Sequence, residues 1–170
     1  MAEGTRGHGQ SRGQTLVEFA LIMPIFLLGV FGLIDGSRLV YMNSTLSQAA
    51  REGARTASVE GSWIGETDAS CGAVGGPICP ATVDVFKDHV VTAVNRMMVP
   101  FGAIPSANVA LRCDASTPPS GNWTGQTCTS QVNGSIVSVR VTYSYTALTP
   151  VIGQILGTVS LSGSATMVMD

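Results

Sequence analysis

Leu16-Val17-Glu18-Phe19-Ala20-Leu21-Ile22-Met23-Pro24-Ile25-Phe26-Leu27-Leu28-Gly29-Val30-Phe31-Gly32-Leu33-Ile34 decides the fold. It holds one ionisable side chain, Glu18, near its start. As a helix rising roughly 1.5 Å per residue it covers about 28 Å, close to the hydrocarbon thickness of a bilayer. The stretch reads as a membrane-spanning helix over residues 16–34. A carboxylate is costly at the bilayer centre, about 2.5–3.5 kcal/mol on insertion scales, and less so near the interface. Folding does not require Glu18, so its presence asks for a functional reason. Pro24 removes the hydrogen bond to the Ala20 carbonyl and is expected to kink or loosen the helix. Gly29 and Gly32 share one face and permit close helix approach.

Outward toward the N-terminus, residues 1–13 are rich in Gly, Arg and Gln, with no apolar periodicity, and are expected to be disordered. Arg6 and Arg12 place the positive side of the span in the cytoplasm, so the chain beyond it is exported. A plain signal peptide cut near Val30-Phe31-Gly32 would discard Glu18 and leave it unexplained.

The order Gly13, Gln14-Thr15-Leu16-Val17, Glu18, Phe19 resembles the cleavage signal of type IV prepilins: a glycine last in the leader, a glutamate fifth after it, an aromatic sixth. Ala49-Ala50-Arg51-Glu52-Gly53-Ala54-Arg55 follows the span. Together these features resemble the TadE-like family, the minor pilins or pseudopilins of tight-adherence pili, most strongly over Arg12 to Ala57. The resemblance implies that a prepilin peptidase cleaves between Gly13 and Gln14. It implies that the released helix is drawn into a fibre or its tip, and that Glu18 there meets the freed amine of Gln14, its own or a neighbour's. The implied partners are the prepilin peptidase, other pilins and pseudopilins along the N-terminal helix, the pilus assembly platform and the membrane. Initiation, assembly or tip structure, and through them adhesion, are the implied functions. The C-terminal part, with its four cysteines, departs from the generic family pattern.

In 170 residues there is room for a membrane helix and one small domain. The charged fraction of 12% is about half the usual value. The nine Lys and Arg are scattered and the formal charge is −2, which argues against a nucleic-acid binder. Cys71, Cys79, Cys113 and Cys128 all follow the span, and their spacings match no zinc site. An even count beyond a membrane span favours disulfides in an oxidising compartment. Three connectivities are possible. Local pairing, Cys71 with Cys79 and Cys113 with Cys128, is preferred because each pair flanks a loop rich in Gly, Pro or Ser.

The helix is expected to continue past Ile34 to about Ala57, with Asp35-Gly36-Ser37-Arg38 at the water boundary. Leu39, Met42, Leu46, Ala49, Ala50, Gly53 and Ala57 form a narrow stripe of small residues, suited to a small domain or to neighbouring helices. Arg51 and Arg55 read as solvated charge or as an intersubunit contact. Residues 58–80 read as a loop. Thr82 to Met98 reads as a helix capped by Thr82 and stopped by Pro100 and Gly102, with Val83, Phe86, Val90, Val91 and Val94 on its apolar face. His89 on this helix reads as a surface or packing residue.

Asn108 to Cys113 alternates as a strand, and residues 114–134 read as a long loop. Ser135 to Ala147 is the clearest strand, with Ile136, Val139, Val141, Tyr143 and Tyr145 as its apolar set. Val151 to Leu156 is read as a short helical turn or an apolar loop. Val159 to Met169 alternates again. The fold class is therefore α+β: a long N-terminal membrane-spanning helix continuing into an exported domain, residues 58–170, with one further helix and a roughly three-stranded antiparallel sheet. The N-x-S/T triplets at Asn43, Asn122 and Asn133 matter only if a host glycosylates them. No nucleophile elbow, phosphate loop, paired carboxylates or metal cluster is present in the sequence, so neither an enzyme nor a cofactor is implied. The alternative to a pilus component is a single-pass anchored extracytoplasmic binding module that does not polymerise.

Overall fold

A computed structural model of the chain describes residues 11–67, 69–74, 76–114, 128 and 134–169. The expectations for residues 1–10, for most of the loop 114–134, and for the triplet at Asn122 fall outside the described residues. Helix α1, Ser11–Glu60, runs unbroken through Pro24. It is already helical at residues 11–13, where disorder was expected, and it ends three residues beyond Ala57. Helix α2 is Val83–Met98, and a short helix α3 is Pro150–Leu156. Strands β1 (Val109–Asp114), β2 (Ile136–Thr146) and β3 (Thr158–Val168) form an antiparallel sheet in the order β1-β2-β3. The architecture is the expected α+β unit on a long apolar helix.

Alternation builds the sheet. Val137, Val139, Val141 and Tyr145 of β2 are buried, and opposite them stand Cys113, Leu111 and Val109 of β1. Val137, not Ile136, occupies the core face, and Ile136 is half-buried out of phase with the valines. Side chains two apart share a face, so Val139 and Val141 fix the odd-numbered set, and Ile136 cannot belong to it. On β3 the odd positions from Val159 to Met167 turn inward and the even ones are exposed. On the other face, the hydroxyls of Ser138 and Thr166 are hydrogen-bonded at 2.9 Å.

The second half of α1 and helix α2 cover the core face of the sheet. Met42, Leu46, Ala49, Ala50, Ala54 and Ala57 are buried on α1, and Phe86, Val90, Val94 and Met98 on α2. Between the two periodic stripes, small residues set the distance. A Cβ at Gly53 would lie 2.8 Å from Val94 Cγ2 and 3.3 Å from Val139 Cγ1. One at Gly163 would lie 2.4 Å from the Leu46 carbonyl oxygen. Both positions therefore need glycine for close backbone approach. In the Ala49–Arg55 stretch, Ala49, Ala50, Gly53 and Ala54 face the core while Arg51 and Arg55 are exposed.

Thr82 caps α2, its Oγ1 accepting from the Val85 N–H at 3.3 Å. The turn after α2 is held by Asn95, which donates to the Ile104 carbonyl at 3.2 Å and accepts from the Ile104 N–H at 2.7 Å. Two disulfides, Cys71–Cys79 and Cys113–Cys128, join the cysteines in local pairs. The first closes the exposed loop between α1 and α2; the second ties Cys128 to the end of β1 within the core.

Candidate functional site

Most of the first half of α1 stands clear of the domain. From Leu16 to Leu33 its large apolar side chains are exposed, Leu21 by 68% and Leu33 by 76%. A soluble protein does not leave so long an apolar helix bare, because burying apolar surface is worth about 25 cal/mol per Å². The helix is long and apolar enough to cross a membrane, and none of its most apolar window is buried in the protein.

The residues singled out in the sequence lie together at the start of this bare segment. Gly13 is exposed, and a Cβ built on it would meet open space. Glu18 is exposed, and the Gln14 side-chain amide donates to its Oε1 at 3.3 Å. The spacing explains the pair, since residues four apart lie one above the other on a helix. Phe19 is exposed beside them. Within the chain, Gly13, Gln14, Glu18 and Phe19 are thus all exposed near the helix start, where the domain leaves them uncovered.

The helix meets the domain at Asp35. This residue, the first of the stretch read as the water boundary, is 3% exposed. Its Oδ1 accepts from the Leu148 N–H at 3.1 Å, and its Oδ2 from the Thr149 N–H at 3.3 Å and the Thr149 hydroxyl at 2.5 Å. The Tyr145 hydroxyl donates to the Asp35 carbonyl at 3.2 Å. The Thr149 hydroxyl and, less strongly, the two N–H groups hold the Asp35 carboxyl below its ordinary value, against the effect of burial. Burial, and secondarily the Asp35 charge, push the Tyr145 phenol up.

A second contact escaped the sequence reading. Glu60, at the end of α1, is buried, and its Oε2 lies 2.7 Å from Nδ1 of His89 on α2. The pair, 29 residues apart in sequence, fastens the end of α1 to the middle of α2. His89 has the packing role the sequence allowed, but its partner had no local signal. Among the described residues, no group of His, Cys, Asp and Glu is placed to hold a metal ion.

A bare apolar half-helix continues into a disulfide-clamped α+β domain, an arrangement that fits single-pass membrane anchoring. Residues 13–55 match the family model described as TadE-like protein, the family the sequence resembles. The match begins at Gly13 and takes in the whole apolar segment, Asp35 and the Ala49–Arg55 stretch. TadE-like proteins are pilus-related structural proteins associated with tight-adherence pili, so the likeness implies contacts with other pilus components and with the membrane. No curated protein and no solved structure gives a significant match to the chain.

Proposed function

We propose that this chain is a minor pilin or pseudopilin of a tight-adherence pilus. A prepilin peptidase cleaves it after Gly13, removing a cytoplasmic leader of residues 1–13. Residues 14–57 serve as the assembly helix, with the inner-membrane span at 16–34. Residues 58–170 form the exported domain on the extracytoplasmic side. After cleavage, Glu18 pairs with the α-amine of Gln14 on its own or an adjacent helix, and Phe19 packs beside it. The assembly platform and other pilins then draw the helix from the bilayer into the pilus or its initiation complex.

One observation carries this reading: the large apolar side chains of the segment from Gly13 to Ile34 are left exposed by its own domain, with a single carboxylate at the segment's start. Lipid can cover the apolar side chains, but it cannot satisfy Glu18. A carboxylate taken into a helix bundle is stabilised only by a partner charge or donors. The Gln14 amide supplies a neutral donor at 3.3 Å. Cleavage next to Gln14 would create an ammonium on the same turn, a stronger partner.

N-terminal sequencing of the membrane-extracted protein tests the cleavage. The parent is expected to begin at Gln14, and Gly13→Leu to persist uncleaved, because a side chain there obstructs close seating of the backbone in a protease cleft. A parent N-terminus other than Gln14 would remove the pilin reading.

A further inference from the structure

The connection between β2 and β3 does not turn back over the domain. Residues 147–157, Ala147-Leu148-Thr149-Pro150-Val151-Ile152-Gly153-Gln154-Ile155-Leu156-Gly157, contain no ionisable side chain. They are fastened at their start by the three donors from Leu148 and Thr149 to the Asp35 carboxylate. From there Ile152 of α3 reaches the apolar segment of α1, and its Cδ1 would sit 3.7 Å from a Cβ on Gly32. Gly32 is inside the span by two residues, about 3 Å.

Beneath α3 an open groove of about 470 Å³ runs between Leu148, Pro150 and Ile152 on one side and Pro24, Leu28 and Phe31 on the other. Pro24 is ten residues before Ile34, about 15 Å along the axis and so about half the hydrocarbon thickness. Leu148, at the mouth, is 67% exposed. One turn above Asp35, Arg38 is exposed and lines a shallow hollow together with Leu148.

We propose that α3 is an interfacial helix: residues 148–156 dip into the bilayer leaflet that faces the domain, and a lipid acyl chain fills the groove against Pro24, Leu28 and Phe31. The occupant follows from depth. Every α1 residue lining the groove belongs to the span, so in the anchored protein the groove opens at hydrocarbon level, where acyl chains surround it. The segment has its polar anchor at the water side, on Asp35, and Pro150 and Ile152 line the groove below, as a surface-seated segment requires. Arg38 stands at the height of the lipid phosphates, with an aliphatic stem that can lie on apolar surface while its guanidinium meets the headgroup. The dip also shelters Asp35, whose carboxylate at a membrane surface is satisfied by protein donors rather than by water.

The inference rests on reading α1 as a membrane span, and not on the pilus role. Its test is site-directed spin labelling of the full chain in vesicles of phosphatidylethanolamine and phosphatidylglycerol. Leu148→Cys reports on the start of the dipping segment, just before α3, Leu21→Cys on the span and Asp88→Cys on the water-exposed domain. The described native cysteines are all bridged, leaving the added thiol for the label. Collision of each label with oxygen is compared with collision with a water-soluble nickel chelate. The Leu148 label is expected to favour oxygen several-fold over the Asp88 label and to fall near the Leu21 label. Nickel-dominated collision at Leu148, with Leu21 still in lipid, would overturn the dip and leave the anchor intact. Exclusion of both reagents at Leu148, with label–label broadening that vanishes on dilution with unlabelled protein, would overturn lipid in favour of a second copy. Water exposure of the Leu21 label would remove the span, and the dip with it.

Discussion

The Thr149 hydroxyl donates to Asp35 Oδ2 at 2.5 Å, joining the first turn beyond the apolar segment to a loop 114 residues away in sequence. This contact, with the N–H groups of Leu148 and Thr149, sets where the domain sits on the helix. Because it stabilises the ionised carboxylate, the folded pKa lies below the ordinary aspartate value of 3.8. The contribution is therefore complete above that unfolded value and is lost as pH falls through the lower folded value. Limited proteolysis within residues 147–157 is expected to be slow at neutral pH and to accelerate at pH below about 3.8. Asp35→Asn, which removes the charge, should show the fast cleavage already at neutral pH. Equal cleavage of variant and parent at pH 7 would contradict the role given to the carboxylate.

Gly53 and Gly163 set the spacing between α1 and the rest of the domain. Gly53→Ala gains up to about 1 kcal/mol of helix propensity but drives a methyl into the stiff side chains of Val94 and Val139. Overpacking of this kind costs about 1–3 kcal/mol, so a net loss is expected. Gly163→Ala should lose more, because its methyl meets the Leu46 backbone rather than a side chain. Thermal unfolding followed by circular dichroism in detergent ranks the two. A Gly163→Ala protein as stable as the parent would mean that α1 sits farther from β3.

The disulfides should differ in weight. Cys113–Cys128 spans 15 residues of sequence and lies in the core, whereas Cys71–Cys79 spans 8 and closes a surface loop. Chain-entropy arguments give about 3 kcal/mol for a loop of roughly 15 residues. Replacing Cys113 and Cys128 by Ala adds the loss of buried side-chain volume to that figure. The Cys113→Ala/Cys128→Ala protein is expected to unfold at lower denaturant than the Cys71→Ala/Cys79→Ala protein. The reverse order would place the stabilising loop at the surface.

Periodic patterns were legible in the sequence, and long-range polar contacts were not. Val139, Val141 and Tyr145 announced β2, while Ile136 misled because an isoleucine at a strand end reads as core whatever its phase. Thr82 and the stripe from Val83 to Met98 gave α2 with its cap. The small residues from Ala49 to Ala57 left open a domain face or a neighbour's face, and it is the domain that covers them. Asp35 read only as part of the water boundary, because a carboxylate just past an apolar run has no local partner; its donors come from 113 and 114 residues away. Glu60 and His89 were silent for the same reason. Residues 151–156 left open a short helical turn or an apolar loop; they are helical in α3, and nothing in their composition told that Ile152 meets the span.

The assembly role of Glu18 is the central claim, and Glu18→Val tests it most directly. The substitution lengthens the apolar run, so the helix should still insert, and the bond after Gly13 lies five residues away and should still be cut. What it removes is the carboxylate that would fix one register between helices by meeting a freed amine, an interaction that strengthens as water is excluded. The measurement is the amount of the protein in sheared surface fractions, once membrane insertion and a Gln14 terminus are verified. The account predicts that Glu18→Val is inserted and mature yet absent from those fractions, with pili lost or sharply reduced; normal incorporation with normal piliation would contradict it.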